Sequence, residues 1–152
     1  MKLHHSNSHR RKEILRGIFA VCTIIVGITH FIRPEQYARI VPPELPNPVA
    51  LVYISGFFEI LGGIGLLVPY ISVAAAWGLV ILFIAVFPAN IYLAIHSDIA
   101  IAGIPHIPIM YWLRLPLQAV LIAWALWYTR KPEAQPGAES FVAGTEKLVS
   151  RE

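Results

Sequence analysis

The chain has one cysteine, Cys22, among 152 residues. An intramolecular disulfide, a CxxC redox pair and a thiolate metal cluster are therefore all excluded within it. Charge is also scarce, at 14% of residues, against about 25% in an ordinary soluble domain. No phosphate-cradling glycine loop, nucleophile elbow or paired-carboxylate arrangement occurs, so hydrolase and kinase chemistry finds no support. His30 is the one histidine inside an apolar run, whereas haem held between helices wants two axial ligands. No metal is expected. The formal surplus of +3 could point to nucleic acid, but the basic residues gather at the two ends of the chain and read as membrane topology, so no nucleic-acid partner is expected.

What the sequence has in abundance is apolar length. Hydrophobic residues make up 57% of it, and the mean hydropathy is +0.63. Four runs, residues 14–32, 49–68, 73–95 and 109–128, each match the roughly 20 residues that a helix needs to cross about 30 Å of hydrocarbon. The fold class is all-α: a polytopic membrane protein built as a four-transmembrane-helix bundle, with the lipid bilayer as its first partner. Residues 1–13 are polar and basic, with His4, His5 and His9, and read as a short disordered tail that sets orientation. The run after them is long for a signal peptide and no A-x-A-like site follows it, so it reads as a retained anchor. Residues 129–152 are polar and rich in small side chains, and read as a second disordered tail.

The first span should stop at Arg33-Pro34, because proline disfavours helix in the residue before it. The connection that follows contains five prolines, and residues 35–41 within it can form a short helix on the membrane surface, with Tyr37 suited to the interface. Residues 69–72 form a tight turn. Pro88 removes a donor near the far end of the third span and frees the carbonyl of Ile84, so local polarity is expected around Pro88-Ala89-Asn90. The third connection, 96–108, has no Lys or Arg but carries His96 and His106.

The N-terminal segment holds five basic residues and the C-terminal tail four; the first connection has two, Arg33 and Arg39, offset by Glu35 and Glu44. With an even number of spans, the positive-inside rule puts both termini in the cytoplasm of a cell whose inner membrane the chain spans.

Glu59 sits in the middle of the second span. A carboxylate there costs about 3 kcal/mol on insertion scales, so it faces a bundle interior and needs a partner. Its helical face carries Ser55, Gly56, Gly62 and Gly63, small residues that let helices approach closely. Measured at 1.5 Å per residue from the outer end of each span, Glu59 lies roughly 15 Å deep, Asn90 roughly 8 Å, Arg114 roughly 8 Å and Gln118 roughly 14 Å, with His30 near the outer end of its span. This convergence predicts a Glu59–Arg114 pair, with Asn90, Gln118 and His30 completing a polar pocket open to the non-cytoplasmic side. Each of these also has a plain packing role open to it, since polar contacts between membrane helices average about 0.6 kcal/mol.

Gly27-Ile28-Thr29-His30-Phe31 running into Pro34 and Tyr37, Ile40-Val41-Pro42, Leu45-Pro46, the G-x-x-E-x-x-G-G element of Gly56, Glu59, Gly62 and Gly63, and Pro88-Ala89-Asn90-Ile91 together resemble the DoxX-like family of small four-helix bacterial membrane proteins. The resemblance covers residues 14–128. It implies a four-helix bundle in the cytoplasmic membrane and, for some members, association with redox systems, including a subunit of a thiosulfate:quinone oxidoreductase. The fold is also similar to that of EXPERA-type sterol-handling proteins, whose pocket holds acidic residues within the membrane. On that basis the expectation is a non-catalytic subunit or quinone-facing anchor with a redox partner protein, and a homo-oligomer as a further possibility. The alternative is a protein that binds or converts a small amphiphile in the Glu59/Arg114 pocket.

Overall fold

A computed structural model describes residues 3–96 and 108–130. It contains α1 (Leu3–Ile32), α2 (Pro34–Ala38), α3 (Pro48–Leu67), α4 (Ser72–Ile95) and α5 (Pro108–Thr129), and no strand among the described residues. Four helices, at Arg10–Ile32, Pro48–Leu67, Ser72–Ile95 and Ile109–Thr129, are long and apolar enough to cross a membrane. The chain is an all-α, multi-pass integral membrane protein. The connection at residues 97–107, with His106, and the C-terminal residues from 131 onward lie outside the described residues.

The helix boundaries follow local chemistry. Asn47 adopts the left-handed conformation at φ 50°, and Pro48 opens α3 at the first helical position, where a missing N–H costs nothing. Val68 to Ile71 turns the chain, and the Ser72 hydroxyl donates to the Pro69 carbonyl at 3.0 Å. At the other end of the chain, α1 begins at Leu3 rather than at residue 14. Hydropathy locates the membrane-crossing part of a helix but not its end, and nothing between residues 3 and 14 breaks the helix: there is no proline or glycine. At 30 residues, α1 is about 45 Å long and runs past the bundle at its start.

Packing runs α1 on α3, α3 on α4, and α4 on α5. Phe19 closes the ring. Its side chain is buried and stacks on Trp124 with centroids 4.8 Å apart, while Phe83 meets it edge-on at 6.3 Å. Ala20, Leu66, Ala76, Leu79, Val80, Ala125 and Tyr128 complete this core. A smaller cluster at the opposite end joins Ile40, Leu93 and Tyr111.

Close approach of α3 to its neighbours depends on its glycines. A Cβ on Gly56 would sit 2.7 Å from the Cβ of His30, and one on Gly63 would sit 2.8 Å from the Ala20 carbonyl oxygen, both on α1. Gly62 faces Leu79 of α4 instead. The small residues around Glu59 therefore bring two different helices against α3.

Candidate functional site

Glu59 and His30 are drawn together by the offset between α1 and α3. Phe31, next to the end of α1, stacks on Tyr53, with centroids 5.5 Å apart. Tyr53 is five residues into α3, so α1 stops about 8 Å short of the start of α3. The chain uses the space this leaves to lay α2 against α3. In antiparallel helices each Cβ leans toward its own N-terminus. His30 therefore leans down toward Val26 and Glu59 leans up toward Ser55, so the two side chains meet.

Both are buried, with side chains 11% and 9% exposed, and His30 Nδ1 lies 3.4 Å from Glu59 Oε2. The same Nδ1 is 2.9 Å from the Val26 carbonyl oxygen. A carbonyl only accepts, so Nδ1 carries the hydrogen and gives it to Val26. Glu59 Oε2 is left buried without a hydrogen-bond partner. Tyr37 covers the imidazole: the rings are 4.1 Å apart and 17° from parallel, and the Tyr37 hydroxyl shares a 2.7 Å hydrogen bond with Thr29 Oγ1.

The expected Glu59–Arg114 pair is not formed. Among the described residues Arg16 pairs with Glu13, and the basic side chain within 4 Å of the Glu59 carboxyl group is His30. The physical reason is helix order: Arg114 is on α5, which packs on α4, whereas the Glu59 face is taken by α1. Equating the depths of the spans also placed His30 near the surface and Glu59 far below it, and the early stop of α1 at Ile32, short of the start of α3, reduces that difference.

Asn90 and Gln118 meet each other, on the α4–α5 side. Asn90 Nδ2 donates to Gln118 Oε1 at 3.3 Å, and Gln118 Nε2 donates to the Phe83 carbonyl at 2.9 Å. This is the polarity expected near Pro88, which lies inside α4. Gln118 reaches the Phe83 carbonyl, one residue before the Ile84 carbonyl that Pro88 leaves without its helical donor. The five candidate residues thus fall into a His30–Glu59 pair between α1 and α3, an Asn90–Gln118 pair between α4 and α5, and Arg114, half-buried on α5 one turn before Gln118.

Sequence reasoning placed Tyr37 at the interface rather than over His30. Its spacing carried a usable signal: seven residues beyond His30, across the Arg33-Pro34 break, a one-turn helix brings its ring back onto the end of α1. No cluster of three or more His, Cys, Asp or Glu able to hold a metal occurs among the described residues.

No curated protein and no solved structure matches the chain. A family model does match, over residues 19–129, which takes in the apolar part of α1, the α2 connection, α3, α4 and α5 and so both polar pairs. The chain belongs to the family defined by the domain of unknown function DUF8561.

Proposed function

We propose that this chain is a non-catalytic, quinone-facing subunit or anchor of a membrane redox system, seated in the cytoplasmic membrane with both termini inside. One observation carries the reading: a carboxyl oxygen of Glu59, buried within a membrane span, has no hydrogen-bond partner although an imidazole nitrogen lies 3.4 Å away. A pair that served only to lock two helices would gain most by satisfying both groups. Here the carboxyl group keeps hydrogen-bonding capacity to offer, in apolar surroundings, beside an imidazole that can exchange a proton. A quinone head group needs these features, since its carbonyls take up protons on reduction. The redox setting comes from the resemblance to DoxX-like proteins, and the basic residues at both ends of the chain support the orientation.

The same pair supports a second reading, in which the bound molecule is another small amphiphile whose polar head meets Glu59 and His30. Arg114 has no part in this version, because no ion pair joins it to Glu59 to form the paired pocket on which an anionic ligand was expected.

The test is to extract the protein in mild detergent from the membrane in which it is native, record its visible spectrum, and identify co-purifying proteins and small molecules by mass spectrometry. Quinone near one per chain together with an oxidoreductase subunit is the expected result, with quinone retention lost in Glu59→Gln while the helical circular dichroism is unchanged. A lone bundle carrying one lipid or other amphiphile, lost on Glu59→Gln, would overturn the redox reading in favour of the second. Retention unaffected by Glu59→Gln would sink both.

A further inference from the structure

The two ends of the bundle differ in charge in a way that proton or quinone chemistry does not use. At the end where α1 starts and α5 finishes, the described residues include Arg10, Arg11, Lys12, Arg16 and Arg130 against a single carboxylate, Glu13. Glu13 is taken by Arg16. The opposite end carries Arg33 and Arg39 against Glu35 and Glu44 and is balanced.

The basic end is built rather than merely charged. Because α1 continues as a helix through residues 3–13, its cations are carried on regular helix at the end of the bundle. Lys12 Nζ lies over the Trp127 ring, 5.6 Å from its centroid, within the range of a cation–π contact. The Tyr128 hydroxyl donates to the Lys12 carbonyl at 3.5 Å and accepts from Trp124 Nε1 at 3.2 Å. Arg130 follows at once and is exposed. The last turn of α5 thus presents the exposed Trp127 indole at the level where such rings favour the head-group region, with the Lys12 ammonium beside it and a guanidinium just beyond. Tyr70, in the α3–α4 turn, is almost fully exposed.

We propose that this corner between α1 and α5 binds the phosphate head group of an anionic phospholipid, with Lys12 and Arg130 as the ligating cations, Arg10 and Arg11 adding field, and Trp127 packing against the glycerol. A zwitterionic lipid brings its own choline cation to the same place and is disfavoured. The site is independent of the His30–Glu59 pair and of which way the chain faces.

The experiment is native mass spectrometry of the detergent-purified full chain with added phosphatidylglycerol or phosphatidylcholine. Phosphatidylglycerol should be retained preferentially, and Lys12→Gln and Arg130→Gln should each lower that preference about fivefold, the equivalent of about 1 kcal/mol per cation. Lys12→Arg should keep it, and Arg39→Gln at the balanced end should leave it unchanged. Raising the salt on the unaltered chain should reduce phosphatidylglycerol retention and not that of phosphatidylcholine, a readout that requires no variant to fold. Equal retention of the two lipids, a preference insensitive to salt, or one that falls as much in Arg39→Gln as in Lys12→Gln would overturn the assignment.

Discussion

His30 Nδ1 sits 3.4 Å from Glu59 Oε2 while giving its hydrogen to the Val26 carbonyl. The two residues are neighbours without being a satisfied pair. Their coupling should accordingly be real but small. In SDS-unfolding measurements, a double-mutant cycle of His30→Gln with Glu59→Gln should give an interaction energy of about 0.6 kcal/mol and no more than about 1.7. The parallel cycle of Glu59→Gln with Arg114→Gln should be additive to within about 0.5 kcal/mol, because the two share no partner. A strong Glu59–Arg114 coupling beside an additive His30–Glu59 cycle would refute the geometry.

The choice between those two partners marks where the sequence stops being legible. Span positions were readable because hydropathy and proline placement act locally: α3 and α4 start and stop within a residue of the apolar runs that predict them. That Glu59 faces inward was readable from the small residues on its face. Which helix that face meets was not. Helical periodicity orders residues around one axis and says nothing of the neighbour: Gly56 and Gly63 meet α1, whereas Gly62 meets α4. Nor does it give the vertical offset between helices. That offset, set by the end of α1 at Ile32 and the folding of α2 against α3, brings His30 to Glu59.

Glycines in contact and glycines in open space should respond oppositely to alanine. At Gly56, a new methyl would press on the His30 Cβ at 2.7 Å and the Gly27 carbonyl at 2.9 Å, and backbone cannot step aside. Gly56→Ala should destabilise the bundle by about 1–3 kcal/mol and disturb the adjoining His30–Glu59 contact. Around Gly78 nothing lies within 4 Å, so Gly78→Ala should be neutral or stabilise by up to about 1 kcal/mol through helix propensity. Thermal denaturation followed by circular dichroism in one detergent compares them; equal effects would mean that α1 and α3 do not approach so closely.

Phe19 joins α1 to Phe83 of α4 and Trp124 of α5. It is 1% exposed. Phe19→Ala removes the ring that closes the bundle and should cost about 3–5 kcal/mol. Ile18→Ala, one residue away on an exposed face, should cost far less, because lipid occupies the vacated volume. Comparable losses at the two positions in SDS-unfolding titrations would show that α1 is rotated relative to the packing described.

The α4–α5 pair predicts an order of losses rather than a single value. Gln118 makes two contacts, a 2.9 Å bond to the Phe83 carbonyl and a 3.3 Å bond from Asn90. Asn90 makes only the longer of these. Gln118→Leu therefore removes the side-chain donor to the Phe83 carbonyl and strands the Asn90 amide, and should lower stability by about 1–2 kcal/mol. Asn90→Leu removes one long bond, frees only Gln118 Oε1, and should cost about 0.5 kcal/mol. In the double variant Gln118→Leu with Asn90→Leu, the loss should fall below the sum of the singles, since the Asn90 amide is no longer stranded. Unfolding measurements on the three variants decide it. A larger loss at Asn90 than at Gln118 would mean that Asn90, not Gln118, carries the contact between α4 and α5.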